Sequence, residues 1–178
     1  ATQATAPADL VTSANMGTSD VEYYAVFAKA TEGGDPDTYA LVSDVNDLAE
    51  GDKVVLYSSG SYNASSVTYN FSKANGALTD KFADVDVTVA NNKFTSTSVV
   101  PMTLVKSGDS WMFKIGDQYV SAVNEGASLN NNSGSLNTIS ISSGAATITA
   151  SINSTNYNLQ YNPNSGNGRF AYYNSTQS

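Results

Sequence analysis

Apolar residues in this chain recur at every second position in short runs, and nowhere at a sustained helical period. Residues 84–90 show this most plainly: Val85, Val87 and Val89 alternate with Asp84, Asp86 and Thr88. Trp111, Phe113 and Ile115 alternate with Met112 and Lys114, and Ile148, Ala150 and Ile152 with Thr149 and Ser151. Successive strand side chains point to opposite faces, so such runs read as half-buried strands. Comparable runs lie at residues 21–28, 66–71, 98–105, 119–123, 139–141, 157–161 and 169–173, with Pro101 arguing for an edge or a bulge. Polar clusters punctuate them. Gly116-Asp117 reads as a hairpin turn, residues 126–135 (GASLNNNSGS) as a loop tip, and residues 162–168 as the link between the last two strands. The expected architecture is all-β: an antiparallel barrel or sandwich of about ten to twelve short strands.

One stretch departs from this rhythm. Residues 39–57, YALVSDVNDLAEGDKVVLY, read as strand, short helical turn, tight turn, strand. Asp44 is a good N-cap, and Asp47 stands three residues on. Gly51-Asp52 breaks the turn. A helix this short cannot stand alone, so Val45 and Leu48 are expected to plug one end of a barrel or sandwich. Residues 31–38, TEGGDPDT, have the composition of a linker. The chain therefore divides into a β segment over 1–30, a linker over 31–38 and a β-barrel domain over 39–178. The run at 21–28 is apolar on both faces and calls for partners on both sides.

Composition excludes whole classes of chemistry. The chain has no Cys and no His, which removes thiol nucleophiles, Cys and His metal sites and Ser–His triads. The net charge is −8 with a single arginine, Arg169, so phosphate backbones are repelled and nucleic acid is not an expected partner. No apolar run approaches the ~18 residues of a spanning helix. Charged residues make up 13%, about half the usual ~25%. Ser, Thr, Asn and Gly take their place, a balance typical of secreted and cell-surface β domains. Extracellular or cell-surface localisation is the expectation.

Two resemblances bear on this. DLVTSANMGTSDVEYYAVFA, residues 9–28, resembles the end of a Listeria–Bacteroides (internalin B-type) repeat, which closes on a Tyr-Ala-x-Phe strand. Residues 38–178 are similar to a β-barrel accessory domain of Bacteroidetes surface proteins. The echoes are the opening at 39–57, the WMFKIGDQYVSAV hairpin at 111–123, and the Leu-x-Tyr-Asn … Arg-Phe-x-x-Tyr ending. The resemblance implies a β-barrel in an adhesive or scaffolding role, and carries over no catalytic residue. The family pattern continues into one more strand after Arg-Phe-x-x-Tyr. Its lack here implies an open edge or a strand supplied from elsewhere.

The candidate sites are few. Asp44, Asp47, Glu50 and Asp52, with Asn46, could offer oxygens to Ca²⁺, as could Glu32, Asp35 and Asp37. Capping and turn formation explain the same residues, and the spacing of an EF-hand is missing. No other cofactor is implied. Asp84 and Asp86 share one face of a strand, as paired glycosidase acids would, but alternation with Val85 and Val87 places them outward as guards of an edge strand. Tyrosines can stack on sugar rings. Most fall on inward positions; Tyr62, in the loop-like SSGSYNASS, is the best candidate for an exposed one. The expected function is a non-enzymatic extracellular module for adhesion or scaffolding, with a glycan or a surface protein as partner. The alternatives are a carbohydrate-binding accessory domain of a larger enzyme and a filament or capsid-surface subunit that associates by strand addition between copies.

Overall fold

The period-two runs form strands, each paired with antiparallel neighbours. The computed structural model of the chain describes residues 26–31, 35, 37–64, 67–163 and 168–175. Among them lie fourteen strands: β1 (Val26–Ala30), β2 (Thr38–Leu41), β3 (Lys53–Ala64), β4 (Val67–Leu78), β5 (Phe82–Asp86), β6 (Lys93–Thr95), β7 (Met102–Ser107), β8 (Ser110–Ile115), β9 (Gln118–Val123), β10 (Gly126–Asn130), β11 (Asn137–Ser142), β12 (Ala145–Ile152), β13 (Thr155–Asn162) and β14 (Arg169–Tyr173). The one helical element described is a 3-10 turn, Val45–Asp47. The all-β expectation holds, with more strands than the sequence suggests. No helix among the described residues is long and apolar enough to cross a membrane.

Pairing runs in a ring. β3, β7, β8, β11, β12, β13, β14, β5 and β4 follow one another, and β4 returns to β3. The closure has a seam. Val54 pairs with Lys29 of β1 and Met102 of β7, so β7 lies on the edge of β3 opposite β1. Tyr57 pairs with Val26 of β1 and Ala74 of β4, so β4 lies on that same edge. Asn75 fills the gap where β4 leaves and β7 takes over. It is fully buried. Its Oδ1 accepts from Leu56 N–H at 2.6 Å, its Nδ2 donates to the Val100 carbonyl at 2.7 Å, and its own carbonyl accepts from Val100 N–H at 3.1 Å. One side chain thus replaces the missing ladder bonds on both sides of the seam.

Two cores result, one on each face of the shared wall. Phe27, Val54, Leu56, Phe71, Phe82, Met102, Leu104, Trp111, Phe113, Ile148, Leu159, Phe170 and Tyr172 belong to the larger core enclosed by the ring. Ala28, Tyr39, Val55, Tyr57, Ala74, Val87, Phe94 and Val99 form a second core, with Val85 and Val89 packed against it. Neighbours in sequence divide between the two: Phe27 from Ala28, and Val54 and Leu56 from Val55 and Tyr57. β1 therefore has the partners on both faces that its sequence demands. It is an interior strand between β2 and β3, so residues 26–30, the described part of the segment expected at 1–30, belong to this sheet. Residues 21–25 of the expected strand lie outside the described residues.

Three expectations are corrected. β5 is no edge strand: β4 and β14 flank it. Val85, with Val87 and Val89 just beyond the strand, faces the second core, and Asp84 and Asp86 share the face of Phe82, which belongs to the ring core. The alternation was read correctly, but the apolar packing lies outside the ring here, supplied by β2, β6 and Val99. β14 offers no open edge, since Phe170 pairs with Tyr161 on one side and Phe82 on the other. Residues 126–130, expected in a loop tip, form β10, paired with β9 throughout and with β14 at Gly126.

Candidate binding site

The site is built on β3 and β4, which run further than alternation alone suggests. Their ladder continues from Tyr57↔Ala74 to Ala64↔Val67. The described partners stop earlier: β1 ends opposite Tyr57, and β5 ends opposite Lys73. Among the described residues the hairpin thus runs on past its neighbours, as an arm. Register sets Tyr62, Tyr69, Phe71, Lys73, Asn75 and Val67 on the face that continues the ring interior. Tyr62 is thus a strand residue directly opposite Tyr69, and not part of a loop. It is half-buried.

Aromatic rings descend along this face from solvent into the core. Tyr69 is 45% exposed and stacks on Tyr62, with ring centres 5.3 Å apart and planes at 17°. Tyr62 meets Phe71 at 6.5 Å, Phe71 meets Tyr161 at 4.9 Å, and Tyr161 meets Phe170 at 4.9 Å. Val67, 49% exposed, continues the face outward.

Beside the rings stands a polar cluster from three strands. Lys73 Nζ lies 2.9 Å from Asp86 Oδ1 and 3.4 Å from Asp84 Oδ2. Tyr161 Oη donates to Asp84 Oδ2 at 2.8 Å. The Asp86 side chain is 89% exposed, whereas those of Lys73 and Asp84 are each 21% exposed. Burial works against the Lys73 ammonium, but its bonds to Asp86 and Asp84 outweigh that and hold its pKa above the ordinary lysine value. Burial, then the hydrogen bond to Asp84 and the nearby negative charges, push the Tyr161 hydroxyl far up, so it stays a donor at any physiological pH. Rings and cluster enclose a cleft of about 170 Å³ at the mouth of the ring, bounded also by Asn70, Pro163 and Gly168. A Cβ on Gly168 would overlap Tyr161 Oη and the Asp84 carboxylate, so a residue without a side chain is needed there.

Comparison with protein-family models, with curated proteins and with solved structures finds no match. The functional reading therefore rests on geometry and chemistry.

The acidic group at 44–52 is differently disposed. Asp44 Oδ1 accepts from Asn46 N–H at 2.9 Å and so caps the 3-10 turn. Asp52 Oδ2 accepts from Ala49 N–H at 2.7 Å, and its Oδ1 pairs with Lys29 at 2.9 Å. Asp47 and Glu50 are exposed. Among the described residues no three Asp or Glu side chains converge on a point that could hold a metal ion. Leu48 and Val45 pack into the ring core, as the plug the sequence implies. Of the linker acids, Asp35 Oδ1 accepts from Asp37 N–H at 3.1 Å in a turn, and Glu32 lies outside the described residues.

The structure thus joins Tyr62 to residues that the sequence did not single out together: Tyr69, Lys73, Asp84, Asp86 and Tyr161. A signal for the first pair exists. Tyr62 and Tyr69 are equidistant in sequence from the polar pair Ser65-Ser66. No local pattern announces that Tyr161 meets Asp84 across 77 positions.

Proposed function

We propose that this chain is a non-enzymatic β module of a surface or secreted protein, acting outside the cell in adhesion or scaffolding. The observation that carries this reading is the projecting arm. Val67 and Tyr69, two of the large apolar side chains exposed among the described residues, sit together on its ring-facing side. Exposed apolar groups set side by side and rimmed by polar groups offer a contact surface. The ring beneath is closed by pairing, a stiff mount for such an arm. The low charge and the abundance of Ser, Thr and Asn support an extracellular setting, as does the resemblance to accessory domains of Bacteroidetes surface proteins.

The mouth cluster favours binding over hydrolysis. Glycoside cleavage needs two carboxyl groups in different states, one donating a proton and one charged. Here one ammonium contacts both Asp84 and Asp86 and occupies the space between them that a scissile bond would need. The reading is tested by coupling the chain to beads and measuring attachment to immobilised cell-surface polysaccharides and matrix proteins. Attachment that falls when Val67 and Tyr69 are both changed to Ser is expected. Attachment equal for the two forms, or none, would overturn it.

A further inference from the structure

We infer that the mouth cleft is a binding site for a single ring of a neutral carbohydrate, a ligand class that rests on the adhesive reading above and narrows it. Three observations lead there, and each removes competitors.

Size comes first. A cleft of about 170 Å³ is several times the ~30 Å³ that a water occupies in the liquid. It is also smaller than the ~300–1,000 Å³ of a drug-sized pocket. A cleft of this size suits a ligand of about one ring better than a drug-sized molecule. Shape comes second. Tyr69, 45% exposed and backed by the stacked Tyr62 ring, offers a flat aromatic surface with a polar tip, which suits a ligand with an apolar face and a polar rim. A pyranose has both.

Charge decides the rest. Lys73 offers donors only, and Asp84 and Asp86 offer acceptors only. Donor and acceptors alternate within one cluster, with Nζ 2.9 Å from Asp86 and 3.4 Å from Asp84. A sugar hydroxyl donates and accepts at once, so adjacent hydroxyls can engage an ammonium and a carboxylate together. The cluster has spare capacity for this: among the described residues Asp86 is engaged by Lys73 alone, and its side chain is 89% exposed. A cationic ligand in an aromatic cage would use the carboxylates, but Lys73 already occupies the position between them. An anionic sugar would meet two carboxylates against one ammonium. The neutral ring is the ligand that uses all three groups.

The test is ligand-observed NMR and titration calorimetry on the whole chain. One panel holds neutral hexoses and their oligosaccharides, a second uronic-acid oligosaccharides, and a third a trimethyl-lysine peptide. Binding to members of the neutral panel is expected, weakened about tenfold by Tyr69→Ala and also weakened by Asp86→Asn. Both positions are exposed, so both variants should fold, with Trp111 fluorescence unchanged and only a small drop in melting temperature from the lost Tyr62 stack or Lys73 pair. Binding of the peptide or the uronic panel alone, or neutral binding that ignores both substitutions, would overturn the inference, as would no binding at all. The bead assay separates the two levels. Tyr69-dependent attachment without sugar binding leaves adhesion standing and removes the sugar. Sugar binding without attachment does the reverse.

Discussion

Asn75→Ala should be among the most damaging single changes at a polar residue in this chain. The side chain is fully buried and satisfies Leu56 N–H at 2.6 Å and the Val100 carbonyl at 2.7 Å. Removing it leaves one donor and one acceptor without partners in the interior. Each orphaned group costs about 1–3 kcal/mol, so a loss of about 2–6 kcal/mol is expected. Against a typical total of about 5–15 kcal/mol, that is a large fraction. Urea unfolding followed by Trp111 is a suitable assay, because this single tryptophan is buried in the ring core. With an m-value of about 2 kcal/mol/M, a loss of about 4 kcal/mol lowers the midpoint by about 2 M. Hydrogen exchange adds a local readout, since the Leu56 amide should lose protection beyond the global change. Asn75→Asp is a sharper control, because it keeps the acceptor for Leu56 and cannot, when charged, donate to Val100. A loss below about 1 kcal/mol for Asn75→Ala, with Leu56 still protected, would refute the view that this side chain holds the seam.

Other outcomes follow from single positions. Ser154 adopts φ +64° beside Asn153 at +49°, the two central residues of the β12–β13 turn; Ser154→Gly should raise stability by about 0.5–1 kcal/mol in thermal melts, because the left-handed region burdens residues with a Cβ. Gly126→Ala should cost about 1–3 kcal/mol, because its Cβ would stand 2.7 Å from the Asp80 carbonyl oxygen; an unchanged melt would count against the close β10 approach. Burial pushes the Tyr172 hydroxyl up from its ordinary value of 10.0. The unfolded chain then loses this proton first, so its contribution to stability is whole below about pH 10 and falls above it by about 1.4 kcal/mol per pH unit. Tyr172→Phe should flatten that alkaline slope, and at neutral pH cost about 1–3 kcal/mol by stranding Asn137 Oδ1, which Tyr172 Oη reaches at 2.8 Å.

The strands were legible wherever apolar residues alternate with polar ones, as in β5, β8 and β12. They were hidden where alternation carries little hydrophobicity. The outer half of β3 is Ser, Gly, Asn and Ala around one tyrosine, and ladder bonding to β4 holds it as strand. β10 begins at a glycine needed for close approach, so its sequence looks like a turn while its ladder is with β9. Facing was the harder problem. Val85 and Val87 announce a buried face, but nothing local says that a second core lies outside the ring. The same ambiguity hid the site. Asp84 and Asp86 were read as guards of an edge strand, although at the ring mouth both meet Lys73, and Asp84 is largely covered while Asp86 stays in water. Capping at Asp44 and the plug at Leu48 were readable because both depend on residues within one turn.

β3 is subject to two different rules along its length. From Val54 to Tyr57 its side chains alternate between two sealed interiors, so an inserted residue there would send each side chain into the wrong one. Beyond Tyr57 it is held to β4 alone among described partners. Lengthening both limbs of the arm by two residues would preserve every facing and disturb neither interior. Variation in this domain should therefore come as arms of different reach, growing in even steps, on an unchanged base.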